Sequence, residues 1–248
     1  MAGEPRDALY QVTFGSGALL RQGGLVVKSG KICGIGHHVG EYSGSASFDA
    51  GAQLLDLEIG VRVDAAVPIA TGLKAGPAGS TIHFKAKGAI PEPQTTFGID
   101  LAGNKGEMTL SLFEELRPPA AAPDISAVPP HPDAFPNGVY MLESAGIGYT
   151  TQTVVVLNSG QLLGIGEMGG QYRGEYVFDE VRKLTVFKGV AKLPPGVPLV
   201  VGGAVGTQWL TAPLASEGKF NRGRSRFSFS LAGRAIDAAL MLRQPLPA

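Results

Sequence analysis

The sequence predicts an all-β protein: two tandem eight-stranded antiparallel β-barrels joined by a Pro-rich linker. Three observations predict this fold. The 248 residues include 36 glycines and 18 prolines, which suits a chain with many tight turns. Apolar residues alternate with polar ones over short runs, and no segment sustains the 3.6-residue apolar period of a helix. The chain also repeats itself at one fixed offset.

The repeat is clearest in a glycine-rich stretch that occurs twice. Residues 34–44 read GIGHHVGEYSG and residues 164–174 read GIGEMGGQYRG, so the offset is 164 − 34 = 130. The same register, without a gap, aligns Val67-Pro68 with Val197-Pro198. Such self-similarity indicates duplication. We interpret the recurring positions as a structural hairpin motif, formed by Gly34, Gly36, Gly40, Tyr42, Gly44, Gly164, Gly166, Gly170, Tyr172 and Gly174.

A Pro-rich segment separates the two copies. Residues 117–136 contain two Pro-Pro pairs and show neither a helical nor a strand pattern, which is typical of a semi-rigid linker. We therefore predict a first barrel over 7–116, a linker over 117–136 and a second barrel over 137–245. Each copy is small but long enough to bury a core.

Eight strands are predicted in each copy. Ser29-Gly30 and Ser159-Gly160 mark the hairpin turn between the second and third strands. Strands with one apolar and one polar face are antiparallel, with one solvated side, and closing them into a barrel removes exposed edges. A two-sheet sandwich is the alternative that periodicity leaves open. The predicted strands are 9–14, 19–29, 31–38, 41–48, 52–62, 80–89, 94–102 and 107–115, repeated 130 residues later.

Charge and cysteine content bound the function. The 21 Lys and Arg residues balance 21 Asp and Glu residues, so we do not expect direct binding of nucleic acid or of an anionic membrane. The one cysteine, Cys33, excludes an intrachain disulfide. The polar N-terminus and the lack of a run of about 18 apolar residues predict a cytoplasmic protein without a membrane span.

No motif predicts catalysis, a cofactor or a metal. His37 and His38 are adjacent on a predicted strand, so they point to opposite faces and cannot hold one metal ion together. Cys33 aligns with the apolar Leu163 and has no spaced histidine base. Gly34-Ile35-Gly36 lacks the following helix of a dinucleotide site. We expect a protein that is not an enzyme and has no cofactor.

Alternation on the seventh strand of each copy indicates which side chains point inward. The interior of an eight-stranded barrel is either filled by side chains or holds one small ligand. The loop at 63–79 and its counterpart at 194–203 are either binding lids at the barrel mouths or tolerated surface excursions. The candidate residues for lining an apolar ligand site are Phe97, Ile99, Leu101, Phe227, Phe229 and Leu231.

The surfaces of the two copies differ. Arg222, Arg224 and Arg226 lie two apart, which places them on one face of a predicted strand. They form a basic stripe that contacts an acidic partner or nucleic acid, or is simply solvated. On the fifth strand, the second copy places Val186 and Val190 outward, where the first copy carries charged residues such as Asp56.

Three motifs together resemble the GrlR family: Gly138-Val139-Tyr140, the turn Asn158-Ser159-Gly160, and the stretch 164–176 that ends in QYRGEY. The resemblance covers both copies and is strongest over 138–178. GrlR proteins are negative regulators of type III secretion genes with a calycin-like (lipocalin-like) barrel. The resemblance implies no catalysis and repression by contact with a transcriptional activator. The family forms dimers of single barrels, so this chain resembles a covalent pseudo-dimer that is itself a monomer.

Two departures from the family pattern bear on the partner. The Gly-Gly-Asp turn of the family reads Ile165-Gly166-Glu167 in the second copy and Ile35-Gly36-His37 in the first. The region that matches the family's acidic partner-binding run retains only Asp179 and Glu180 as its consecutive acids in the second copy. These two residues are therefore candidates for partner binding.

The leading functional hypothesis is a non-enzymatic regulatory protein that resembles GrlR-type negative regulators and acts by protein–protein contact. The alternative is a carrier in which a barrel interior holds a small apolar ligand or lipid.

Overall fold

The structure, a computed structural model, describes residues 6–15, 21–37, 40–64, 78–101, 104–118, 131–145, 150–200, 202–231 and 234–247, without side chains at 21, 101, 104 and 234. Within these residues the chain is all-β, as predicted, and no helix could cross a membrane. The chain divides into two compact units. One comprises Met1–Leu116 with Leu246–Ala248, and the other comprises Arg117–Pro245.

Barrel one, in the first unit, is an antiparallel meander whose consecutive strands are neighbours. The first strand also pairs with the eighth, which leaves one seam between the sixth and seventh. No backbone pairing bridges that seam in the described part of the chain. The strands are β1 (Ala8–Phe14), β2 (Arg21–Lys28), β3 (Lys31–Gly36), β4 (Gly40–Asp49), β5 (Leu54–Val63), β6 (Ser80–Gly88), β7 (Gln94–Leu101) and β8 (Asn104–Glu115).

Barrel two repeats this topology and is fully closed. Its seam strands, β14 and β15, are joined only at Ala215–Ser230 and Ser216–Phe229 among the described pairs. The predicted eight-stranded antiparallel barrels are thus confirmed, and the sandwich alternative is not adopted. The strands are β9 (Gly138–Ala145), β10 (Thr150–Asn158), β11 (Gln161–Gly166), β12 (Gln171–Asp179), β13 (Leu184–Leu193), β14 (Leu210–Gly218), β15 (Ser225–Leu231) and β16 (Arg234–Pro245).

The turns repeat at the same offset as the sequence. Ser29 and Ser159 both adopt left-handed backbone, with φ of 50° and 48°. Between β4 and β5, Asp49 Oδ1 accepts hydrogen bonds from two following backbone N–H groups at 3.0 Å each. Asp179 does the same after β12, at 3.0 and 2.9 Å. An Asp side chain that binds its own following backbone holds a tight turn, so both copies use one turn design.

The two interiors are packed differently. Barrel one has one continuous core that runs through Tyr42, Ile59, Phe84 and Met108. The core of barrel two is divided into two clusters. We call them the lower layer (Phe135, Tyr140, Val155, Leu157, Phe187 and Leu240) and the upper layer (Ala191, Leu193, Val205, Ala212, Leu231 and Ile236).

Part of the predicted linker belongs structurally to the second unit. Arg117 donates its backbone N–H to Gln161 Oε1 at 2.9 Å and accepts a hydrogen bond from Asn158 Nδ2 at 2.8 Å. Phe135 is buried in the lower layer, edge-on to Phe187 at a centroid distance of 5.2 Å. Residues 119–130 of the linker lie outside the described residues.

Candidate functional site

The predicted lining residues have different surroundings in the two barrels. Phe97 and Ile99 are buried in the continuous core of barrel one, and the side chain of Leu101 lies outside the described residues. In barrel two, Phe227 and Phe229 are only partly buried and line a cavity, while Leu231 packs in the upper layer. The three residues of the second copy therefore line cavities of barrel two. The described residues of the first copy pack in the core of barrel one.

A cavity inside barrel two, which we call the lower chamber, has a volume of about 70 Å³. All eight strands of this barrel contribute to its wall, and the surface it presents is apolar. Four aromatic rings face it. The side chains that form most of the wall are Leu142, Val155, Leu162, Tyr172, Phe187, Leu214, Phe227, Phe229 and Leu240.

A second cavity, the upper chamber, lies at the mouth of barrel two and has a volume of about 50 Å³. Its wall includes polar side chains from the strand ends, among them Ser144, Gln152, Thr153 and Glu167. The Gln152 backbone N–H donates to Glu167 Oε2 at 3.0 Å. Within the described residues, no hydrogen-bond donor reaches the buried Oε1 of Gln152. Tyr172 and Phe229 line both chambers.

A loop that is held by internal backbone hydrogen bonds covers the upper chamber. This loop, which we call the lid, comprises the described residues 194–200 and 202–206, and residues 197–200 form part of the chamber wall. Val205 donates its backbone N–H to the Val197 carbonyl at 2.8 Å, and Leu199 donates to Gly203 at 2.9 Å. The lid is thus a small hairpin rather than an open excursion. Its predicted counterpart in the first copy falls largely on 65–77, outside the described residues.

Tyrosine 172 sits between the chambers because the glycine motif leaves room for it. A Cβ atom on Gly164 would lie 3.1 Å from the Tyr172 Cβ, and one on Gly170 would lie 3.4 Å from the Tyr172 hydroxyl. Burial raises the pKa of Tyr172, and a hydrogen bond with Thr153 partly offsets this effect. At Gly174, a Cβ would collide with the backbone carbonyl of Lys188 on the paired strand. Gly164, Gly170 and Gly174 therefore have a packing role.

The predicted basic stripe is wrong in part. β15 begins only at Ser225, so Arg222 and Arg224 precede the strand and only Arg226 lies on it. Arg224 forms an ion pair with Glu143 of β9 at 3.0 Å. Arg224 and Arg226 border an open outer groove whose wall also contains Glu143 and Asp237. This groove therefore carries charges of both signs rather than one basic face.

The two acidic candidates have local partners. Asp179 holds its own turn, as described above, and Glu180 Oε2 lies 3.0 Å from Lys183 Nζ. Each of these contacts lies within five residues of the chain, so both acids stabilise the β12–β13 turn. The sequence did contain a signal of this turn role, because the first copy has Asp49 at the position that matches Asp179.

Among the described residues, the remaining titratable candidates do not come together in a metal-binding group. Cys33 is buried, and burial raises the pKa of its thiol to about 12. His131 stacks on Phe178 with ring centroids 4.7 Å apart. No group of three His, Cys, Asp or Glu side chains that could hold a metal ion occurs among the residues with described positions. His38 lies outside them.

Exposed large apolar side chains occur on barrel two. Within the described chain they are Met168, Val177, Val181, Val190 and Trp209, of which Val177 is 64% exposed and Val181 92%. Val177 on β12 lies directly opposite the outward-facing Val186 on β13. We call Val177, Val181, Val186 and Val190 the valine face. Barrel one carries Ser47 opposite Asp56 at the matching pair.

Comparison with known proteins leaves the chain without an assigned family. No family model matches it, and no curated protein matches it. A solved structure, that of isotype 1 transferrin binding protein B from serogroup B Neisseria meningitidis, aligns over 91% of this chain at 10% identity and a TM-score of 0.25. This chain spans 58% of the length of that protein.

Proposed function

We propose that this chain is a non-enzymatic regulatory protein that acts by protein–protein contact, with the valine face of barrel two as its contact surface. The observation that carries the proposal is the exposed Val177 opposite the partly exposed Val186, at a pair of positions where barrel one has Ser47 and Asp56. A contiguous exposed apolar patch on a protein surface marks an interaction site. The partner that the GrlR resemblance implies is a transcriptional activator.

The comparison of the two copies supports a functional origin for this face. Both copies build the same two strands and the same turn, yet the first copy does so with Ser47 and Asp56, and Lys87 lies 3.4 Å from Asp56. The fold therefore does not require exposed valines at these positions. Charged groups surround them, including the Arg182–Glu217 pair at 2.7 Å. An apolar centre with a polar rim is the usual composition of a protein interface.

The experiment compares Val177→Asp combined with Val186→Asp against Ser47→Asp, which alters the matching position of barrel one. Each tagged variant is expressed in the source cells, and proteins captured with it are identified and quantified. We expect the double variant to lose a transcriptional activator that the wild type and Ser47→Asp retain, with derepression of the regulated genes. Equal capture by all three, or capture of no transcriptional regulator by the wild type, would overturn the proposal.

Carriage of a small apolar ligand is a second candidate function. The lower chamber favours it, because its surface is apolar, whereas the described buried residues of barrel one pack into one continuous core. At about 70 Å³ it is too small for a lipid chain, so this candidate concerns a compact ligand.

A further inference from the structure

We infer that barrel two binds one small aromatic molecule with a hydrogen-bond-donating, non-anionic head, such as an aryl alcohol or amine. The ring occupies the lower chamber and the head lies in the upper chamber. This inference rests on the second candidate function and adds the ligand class and its orientation.

The chamber volumes set the size of the ligand. A water molecule needs about 10–15 Å³ of such space. The two chambers, at about 70 and 50 Å³, therefore hold roughly five and four non-hydrogen atoms. A ring with a two-carbon arm and a one-atom head has about this total. Tyr172 and Phe229 line both chambers and so lie at the boundary between them, which the arm of such a ligand would have to cross.

The lower chamber suits an aromatic body. Phe187 and Phe227 stack with centroids 6.1 Å apart, and both rings line the chamber with Tyr172 and Phe229. Aromatic pairs prefer offset or edge-to-face contacts and contribute beyond area burial alone. With an apolar surface in the chamber, a polar group placed there would lose its hydration without compensation.

The upper chamber selects the head. Gln152 Oε1 is a buried acceptor with no donor among the described residues. Leaving such an atom unpaired has a free-energy cost that a ligand donor would remove. Among the described residues, the other polar side chains of the wall are hydroxyls and the Glu167 carboxylate, without a Lys or Arg. A carboxylate head would face Glu167 without a countercharge, whereas an alcohol or amine would donate to Gln152.

Side chains pack at both ends of barrel two. Phe135 is buried at the lower layer, where its ring packs on Phe187 and Phe220, and residues 197–200 of the lid cover the upper chamber. Backbone hydrogen bonds join groups within this loop, among them Gly196 N–H to the Val205 carbonyl at 3.0 Å and Val205 N–H to the Val197 carbonyl at 2.8 Å.

Calorimetric titration of the full chain with four probes of one scaffold tests the inference: ethylbenzene, 2-phenylethanol, 2-phenylethylamine and phenylacetate. We expect the alcohol and the amine to bind about tenfold more tightly than ethylbenzene, and phenylacetate more weakly than all three. Gln152→Leu should remove most of the advantage of the alcohol over ethylbenzene and leave ethylbenzene binding unchanged.

Variants with larger side chains in the lower chamber serve as controls for the location of the site. Leu214→Phe introduces the residue that barrel one has 130 positions earlier, Phe84, and Val155→Leu introduces its Leu25. Either change should abolish binding of all probes, and a melting temperature no lower than that of the wild type, with an unchanged circular dichroism spectrum, establishes that the variants fold. Binding that persists in both variants would place the site elsewhere and overturn the inference.

The remaining outcomes distinguish failure of ligand carriage from failure of the head-group assignment. If no probe binds, ethylbenzene included, ligand carriage itself fails as a candidate function. If ethylbenzene binds and phenylacetate binds as tightly as the alcohol, carriage stands and the head-group assignment is overturned.

Discussion

Gly189 of barrel two occupies the position that Ile59 holds in barrel one, since 189 − 59 = 130. Both lie opposite a glycine of the preceding strand, Gly174 and Gly44 respectively, so the backbone register is the same. Ile59 is fully buried in the core of its barrel, whereas Gly189 forms part of the lower-chamber wall. The chamber thus arises from a change of side chains and not from a change of topology.

Leu214→Phe should stabilise barrel two. The cost of a cavity is about 24 cal/mol per Å³, so filling the lower chamber offers up to roughly 1.5 kcal/mol. Thermal and chemical unfolding would measure the change in the free energy of unfolding. Phe84→Leu, the reverse exchange in barrel one, is the comparison and should cost about 1 kcal/mol. A clear loss of stability in Leu214→Phe would mean that this part of the barrel is already filled.

Replacing the glycine that approaches a neighbouring strand should be costly. Gly174→Ala places a methyl group against the Lys188 carbonyl, and we expect a loss of about 1–3 kcal/mol in the free energy of unfolding. Gly98→Ala on β7 is the control, because no atom lies within 4 Å of its added Cβ. The control should be neutral or stabilising by up to about 1 kcal/mol. Equal effects of the two changes would contradict a packing role for the motif glycine.

In each barrel, a tyrosine hydroxyl approaches a backbone carbonyl just before the first strand, but the two distances differ. Tyr140 Oη donates to the Pro136 carbonyl at 2.6 Å, while Tyr10 Oη lies 3.4 Å from the Arg6 carbonyl. Tyr140→Phe should therefore lose about 1 kcal/mol, and Tyr10→Phe distinctly less. Urea titrations of both variants would compare them. Similar losses would show that the difference in distance has no energetic consequence.

The protein should lose stability in alkaline solution. Burial raises the pKa of Tyr10 to about 12 from 10.0 and that of Cys33 to about 12 from 9.0. Burial also raises the pKa values of Tyr42 and Tyr140. These groups ionise at lower pH in the unfolded chain than in the folded protein, so unfolding becomes progressively more favourable above about pH 9.

Melting temperatures between pH 7 and 11, with tyrosinate absorbance at 295 nm, would check this expectation. Absorbance should rise together with unfolding rather than before it. Smooth titration of most tyrosines near pH 10 in a protein that keeps its melting temperature would show that the phenols are accessible.

The sequence was sufficient for the architecture because its signals were local and were present twice. The turn at Ser29-Gly30 reappears at Ser159-Gly160, and the positions of the strands follow from alternation between such turns. Strand ends were less certain. The predicted eighth strand begins at 107, whereas β8 begins at Asn104. The glycine near that end, Gly106, pairs opposite Ile99 and does not interrupt the ladder.

The candidate site was only partly predictable. Alternation indicated Phe227 and Phe229 as inward-facing, but it did not distinguish a filled barrel from a hollow one. That distinction depends on volumes summed over all eight strands, for example Phe14 against Ser144 and Phe84 against Leu214. The cross-strand ion pair of Arg224 could not be predicted from sequence periodicity either, because Glu143 is 81 residues away in the chain.

The unequal filling of the two interiors also bears on how the chain assembles. Tandem copies of one fold are prone to misassembly, because a strand from one copy can insert into the other. A β5 inserted in place of β13 would bring Ile59 and Val61 where Gly189 and Ala191 belong, against an interior built for small residues. Distinct core layers of this kind disfavour the wrong partner. Divergence of the two interiors therefore protects correct strand sorting during folding, whichever surface or chamber the mature protein uses.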